Sequence, residues 1–480
     1  MKKIYTCYGK IVALAFFGMC LELPKAMAQG AAGIPIEHFI YIIQENHSFD
    51  NYFGTFPNAN GIPAGTALPA YPGGPPIHKL FLATQPTIPA DITHIWQAAA
   101  VAYDNGAMDG FLYACWKEGL EYYGRNIIVP QPDPNLVQIV RKGSVTGRKV
   151  MVANGQFISP NGMIDDEDED DPGVGAQNDA LLAAAPAASG PPNPKDRPSY
   201  THYSLTYYDY TIIPNYWEYA RKFTLCDAFF SALRGPSRPN HLYTVAAQSG
   251  GLVEDLTGGY TCIYSFPTMV DLLAQANITW KYYNGYKPLV ENFRNPLPGF
   301  TQISSNPELQ SHLVLSSQFY QDVKNGTLPQ VCWIVPNVRL SEHPPVNIQN
   351  GMWYVTGLVN AVMQSSYWQN SVIIIMWDDY GGFYDHVPPA NTDEYGFGFR
   401  VPAIVISPYS IRGAVVHTQY DLTSPLKLVE TKFGLSSLTP RDGASNTMLE
   451  CFDFTQKPLP PVIITPSTKL DFSEMATKTP

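Results

Sequence analysis

Basic charge is what this sequence has least of. Its 480 residues carry 30 Lys and Arg against 41 Asp and Glu, a formal charge of −11, and no Lys/Arg-rich block. A protein that neutralises nucleic-acid phosphates needs a basic face, so nucleic acid is excluded as a partner. Charge of either sign is scarce, at 15% against roughly 25% in an average soluble domain. The acidic balance gives no general attraction to anionic lipid, so any membrane-surface contact is expected to be transient and local. No Cys-x-x-Cys occurs, which argues against a thiolate metal cluster. Beyond the N-terminus no stretch approaches the ~18 unbroken apolar residues of a membrane-spanning helix. Internal repeats are also missing. What the chain does have is 45% hydrophobic residues, enough for a large core, with 43 Pro and 30 Tyr. That composition favours a loop-rich exterior held by hydroxyl and amide contacts.

The N-terminus reads as an export leader. Lys2 and Lys3 start it, Ile11 to Cys20 form a short apolar stretch, and Ala26-Met27-Ala28 fits a small-x-small cleavage site. Residues 1–28 are therefore expected to be a signal peptide, and the protein to be exported, secreted or periplasmic. Five cysteines remain after it: Cys115, Cys226, Cys262, Cys332 and Cys451. An oxidising compartment allows one or two disulfides. Cys115 with Cys262 is one option, and buried free thiols are an equal alternative.

Several short apolar runs have the signature of strands buried on both faces of a parallel sheet: Phe39 to Ile43, Val331 to Val335, Val372 to Trp377 and Val401 to Ile406. Helical patterns lie among them at Thr268 to Ala276, Met352 to Met363 and Leu426 to Phe433, with a further strand expected at Ile278 to Tyr282. This alternation predicts an α/β fold with a mostly parallel central sheet flanked by helices. Residues 29–454 are expected to form one catalytic domain. Within it, about 130–200 is Pro-, Ala- and Gly-rich, holds the acidic run Asp165 to Asp171, and reads as an insertion or surface excursion. Residues 455–480 form a Pro- and Thr-rich tail expected to wrap the surface.

Three polar segments sit beside apolar runs, where parallel sheets build active sites. Glu45 and Asn46 follow the first strand and supply oxygen ligands for a hard cation, or else begin a turn. Asp378 and Asp379 follow the strand VIIIMW. Adjacent buried acids repel unless a cation sits beside them, and no Lys or Arg lies between Val372 and Phe399. Metal binding is the favoured reading there. Ser237, in Arg234-Gly235-Pro236-Ser237-Arg238-Pro239-Asn240-His241, precedes an apolar run. It suits a helix start facing an anion, or a simple N-cap. His94 (in Asp91-Ile92-Thr93-His94) and His343 (in Ser341-Glu342-His343-Pro344-Pro345) are lone histidines. Such residues are more often structural, and His202 and His417 stay with that reading.

Taken together, ENHSFDNYFG (Glu45 to Gly54), DITHIWQ (Asp91 to Gln97), FFSALRGPSRPNHLY (Phe229 to Tyr243), SEHPP (Ser341 to Pro345), WDDYGGFYDHVPP (Trp377 to Pro389) and GFRVPAIVISPY (Gly398 to Tyr409) resemble the bacterial phosphoesterase family of secreted phospholipases C and acid phosphatases, within the alkaline-phosphatase-like superfamily. The six motifs occur in the family's order and span most of residues 36 to 454. The resemblance implies an alkaline-phosphatase-like α/β core. It implies Glu45, Asn46, Asp378, Asp379 and Ser237 as ligands of one divalent metal, and Ser237 as the nucleophile. His94 and His343 would contact phosphoryl oxygens or protonate the leaving group. His386 lies inside a motif and is a possible additional site residue. The oxygen shell suits magnesium, calcium or manganese, a histidine joining it would tilt the choice to zinc, and iron stays open. The expected activity is phospholipase C, cleaving glycerophospholipids through a phosphoseryl intermediate, with acid phosphatase on soluble monoesters as the alternative. The expected partner is the phospholipid or phosphate-ester substrate, with no stable protein partner implied. Trp96, Trp116, Trp217 and Trp353 are candidates to seat a head group. A sulfatase pattern, Cys/Ser-x-Pro-x-Arg, is incomplete because His241 stands where it wants Arg.

Overall fold

A computed structural model describes residues 33–141, 191–256, 260–473 and 475. The signal-peptide reading of residues 1–28 and the acidic run at 165–171 lie outside them. The centre is an eight-stranded sheet. Its strands in chain order are β1 (His38–Gln44), β2 (Thr224–Cys226), β3 (Trp280–Asn284), β4 (Leu313–Leu315), β5 (Val331–Val335), β6 (Ser371–Trp377), β7 (Ala403–Ile406) and β8 (Ala414–Val416). They lie in the spatial order β4-β3-β5-β1-β6-β7-β2-β8. All five residues of β5 and all seven of β6 are buried, as strands covered on both faces must be. β1 runs parallel between β5 and β6, with Gln44 level with Trp377. The fold class is therefore α/β with a mostly parallel sheet.

The helices used below are α1 (Phe49–Phe53), α2 (Trp96–Tyr103), α3 (Pro214–Lys222), α4 (Ser237–Ala246), α5 (Met269–Gln275), α6 (Ile348–Met363) and α7 (Ser424–Phe433). Their starts follow local chemistry. Thr268 and Asp271 form a capping box on α5, and the Asn347 side chain accepts from Gln349 N at the head of α6. Pro425 sits in the first turn of α7, where its missing N–H costs nothing.

Four expectations change. The run Val401 to Ile406 is a strand only from Ala403, and it is antiparallel to both neighbours, β6 and β2. Burial on both faces does not encode direction. The chain leaves β6 into the loop 378–402 and returns with no crossover helix, so it must re-enter antiparallel. The segment after Pro130 is not wholly an excursion, because Val137–Arg141 pairs antiparallel with Tyr260–Tyr264. Cys115 and Cys262 are not bridged, and all five described cysteines are free and buried. The Cys115 thiol donates to Phe111 O at 3.1 Å instead. Finally, Ile278 to Tyr282 starts late, as β3 at Trp280. Part of the tail, around Leu459 and Ile464, lies against the body. Trp368 Nε1 donates to Leu459 O at 3.1 Å, and Asn360 Nδ2 to Ile464 O at 2.6 Å. No helix among the described residues is long and apolar enough to cross a membrane.

Candidate active site

Parallel pairing of β1 with β6 brings two acidic tips to one edge of the sheet. Glu45 and Asn46 continue β1, while Asp378 and Asp379 continue β6. Asn46 adopts φ 62°, and its N–H donates to Asp378 Oδ1 at 3.2 Å. Gly381 permits the approach. It has φ 59°, and a Cβ there would stand 2.2 Å from Asn46 O. The β5 side closes the edge, with Glu45 N donating to Ser341 O at 2.8 Å.

Ser237 arrives from a fourth segment as the first residue of α4, after Pro236. It is not a side-chain cap. Its hydroxyl lies 3.3 Å from Asn46 Oδ1 and 3.4 Å from Asp379 Oδ2. The turn before it is held by Asn240, whose Oδ1 accepts from Ala232 N and Leu233 N and whose Nδ2 donates to Gly235 O and Pro236 O. Asp255 Oδ1 accepts from Arg238 N at 2.7 Å, and the adjacent Glu254 accepts from Trp96 N at 3.1 Å. This carboxylate pair thus anchors the starts of both α4 and α2.

His94 lies just before α2. Its Nδ1 donates to Ile92 O at 2.6 Å, and its Nε2 lies 3.0 Å from Asn46 Nδ2. His343 Nδ1 donates to Pro344 O at 2.6 Å, and the two rings meet edge to face at 6.0 Å. The backbone carbonyls set the tautomers and turn both Nε2 atoms away from those anchors. Ser237, His94, His343, Glu45, Asn46, Asp378 and Asp379 are all buried, each at 2% exposure or less.

The electrostatics call for a cation. Burial, reinforced by Glu45, raises Asp378, and burial reinforced by Asp378 raises Asp379. Asp378 Oδ2 is buried with no hydrogen-bond partner. Burial lowers His94, but Asp379 and Asp91 outweigh it and carry the ring to about 9. That pull conflicts with the Asn46 amide, which donates to a lone pair on Nε2. A cation beside Asp379 removes the conflict. The donor set of carboxylates, amide oxygen and hydroxyl therefore fits a divalent ion. One charge balance was invisible in the sequence: Arg294, from the irregular segment after β3, places Nε 3.6 Å from Glu45 Oε1.

Other candidates fall elsewhere. His386 Nδ1 pairs with Asp50 Oδ2 at 2.6 Å, within a buried network in which Arg400 bridges Asp50 and Asp385. The motif residue thus belongs to a supporting ion-pair cluster. Arg238 turns from the site to pair with Glu291, and Arg234 stacks on Tyr103 at 4.4 Å. Trp217 is fully buried among Phe53, Phe56 and Tyr210, so it seats no head group. His241, Arg294 and Glu342 were missed. His241 carried a signal, being four residues past Ser237 on a helix. Arg294 carried none.

The pattern of the Phosphoesterase family matches residues 36–132 and 173–436. The chain belongs to that family, and it is a hydrolase acting on phosphoric ester bonds. It is 28% identical to phospholipase C B of Mycobacterium tuberculosis, covering 94% of this chain and 86% of that one. Identity with phospholipase C A of the same organism is 29%, over 90% and 81%. It is 31% identical to the non-hemolytic phospholipase C of Pseudomonas aeruginosa, over 50% of this chain and 41% of that one. Among solved structures, a Vibrio parahaemolyticus protein of the alkaline phosphatase superfamily aligns with a TM-score of 0.32 and 14% identity, over 49% of this chain and 64% of the other.

Proposed function

We propose that the protein is an exported, metal-dependent phospholipase C that works through Ser237. The observation that carries the reading is the meeting of the Ser237 hydroxyl with Asn46 and Asp379 at the acidic strand tips. The near full-length similarity to two proteins named phospholipase C supports the lipid substrate.

Glu45, Asn46, Asp378, Asp379 and Ser237 would hold the cation. When bound, it would polarise the phosphoryl group and make the serine hydroxyl more acidic. Ser237 Oγ attacks phosphorus as its proton passes to the neutral His94–His343 pair, and the bond from phosphorus to the glycerol oxygen breaks. The head-group phosphate is left esterified to Ser237. The alcohol departs as diacylglycerol, taking a proton from the His94–His343 pair, help worth about 10²–10⁴-fold. Water then attacks phosphorus and gives a proton to the pair, which returns it to Ser237 Oγ as the serine–phosphate bond breaks, and the phospho-head group leaves. Asn46 orients both partners, with Oδ1 toward Ser237 and Nδ2 toward His94. Burial keeps bulk water from competing.

Purified protein offered phosphatidylcholine and p-nitrophenyl phosphate tests this. Diacylglycerol release that chelator abolishes and divalent metal restores is the expected result. Rapid monoester turnover with intact lipid would instead make it an acid phosphatase. Ser237→Ala should lower turnover at least about 10³-fold with the fold intact. A near-normal rate would remove serine from the chemistry.

A further inference from the structure

His241 follows Ser237 by one turn of α4, so the two side chains leave the same helical face. The His241 ring is fully buried, and neither ring nitrogen has a hydrogen-bond partner. Nε2 lies 3.6 Å from Glu45 Oε1 and 3.6 Å from Asp378 Oδ2. Both separations exceed the roughly 2.7–3.2 Å of a hydrogen bond. They fall between the ~2.9 Å and ~4.1 Å that separate neighbouring and opposite ligand atoms around one six-coordinate ion at bond lengths of about 2.0–2.1 Å. Single ligand atoms from Glu45, His241 and Asp378 all lie within 4.8 Å of one another. The neighbouring Arg238 does not compete for these acids, because Glu291 engages it.

We propose that His241 is a direct ligand of the active-site cation, joining Glu45 and Asp378 in a mixed nitrogen–oxygen shell. Imidazole suits zinc-like ions better than magnesium or calcium, so the site selects a borderline divalent metal such as Zn²⁺. The inference rests on the reading of the acidic strand tips as metal ligands. It adds a residue from α4 and a metal class to that reading.

The test uses the full chain, stripped of metal and titrated calorimetrically with Zn²⁺ and with Mg²⁺, and with Co²⁺ followed by absorbance. His241→Gln should weaken Zn²⁺ binding at least about 100-fold, more than an outer-shell change does, with Mg²⁺ binding little altered. His241→Cys should keep tight Zn²⁺ binding and give a thiolate-to-Co²⁺ charge-transfer band absent from the parent. That band decides the matter should His241→Gln fail to fold. Equal losses for Zn²⁺ and Mg²⁺ in a folded His241→Gln protein would overturn the proposal, as would a His241→Cys protein without the band. Asp378→Ala separates the two readings. If it loses Zn²⁺ while His241→Gln binds normally, His241 is no ligand and the acidic site stands. If both bind Zn²⁺ normally, the metal reading falls as well.

Discussion

Glu342 offers the sharpest test of how the site is supported. It is fully buried beside His343, with φ 74°. Four donors face its carboxylate. Tyr216 OH and Gln44 Nε2 address Oε1, and Tyr52 OH (2.8 Å) and Trp377 Nε1 (3.2 Å) address Oε2. Gln44 and Trp377 end the two strands that carry the acidic tips, so one side chain ties both tips to the His343 loop. Burial nevertheless pushes the carboxyl from 4.5 up to about 8, because the four hydrogen bonds do not repay full desolvation. The folded protein then binds a proton that the unfolded chain releases. Stability from this group is complete below about pH 4.5 and is lost as pH rises toward 8. The slope is about 1.4 kcal/mol per pH unit, or on the order of 5 kcal/mol across the window. Glu342→Gln removes the titration. Its amide can face Tyr216 and Gln44, since a hydroxyl and an amide can each reverse to accept. Its cost at pH 5 should be about 1 kcal/mol. Urea unfolding of both proteins from pH 5 to 8 measures the difference, which should swing in favour of Glu342→Gln as pH rises. Parallel curves would mean that the four donors keep Glu342 ionised throughout, and the desolvation argument would be wrong.

Two further substitutions probe the scaffold. Arg400 is fully buried and donates to Asp385, Asp50, Asn60 O and Asp227 O. Arg400→Leu leaves two buried acids without their cation and should cost about 3–5 kcal/mol in denaturant unfolding; a loss under 1 kcal/mol would show that Asp50 and Asp385 are neutral without it. Gly381→Ala places a Cβ 2.2 Å from Asn46 O at a left-handed φ. It should cost about 1–3 kcal/mol and depress turnover by displacing Asn46, and unchanged kinetics would show that the turn does not position that amide.

Much of the site is legible in the chain because its chemistry sits at strand ends. An apolar run such as VIIIMW announces burial, and the acids immediately after it must then lie at a sheet edge. Ser237 is legible for a similar reason, since Pro239 and the apolar run after it mark a helix start. His386 shows that a motif position states neighbourhood and not partners. Its actual partner, Asp50, is 336 residues away in the chain, beside Arg400. Glu342 was passed over because a lone acid beside a histidine does not reveal four distant donors.

The sequence by itself determined several of the buried strands, the polar residues that follow them, and the family to which the order of motifs belongs. These are local properties, written in hydrophobic runs and turn chemistry. Only the tertiary structure decided that β7 runs against its neighbours, that Arg294 reaches Glu45, and that His241 stands between Glu45 and Asp378. Each depends on where segments far apart in the chain come to rest, and no local pattern encodes that.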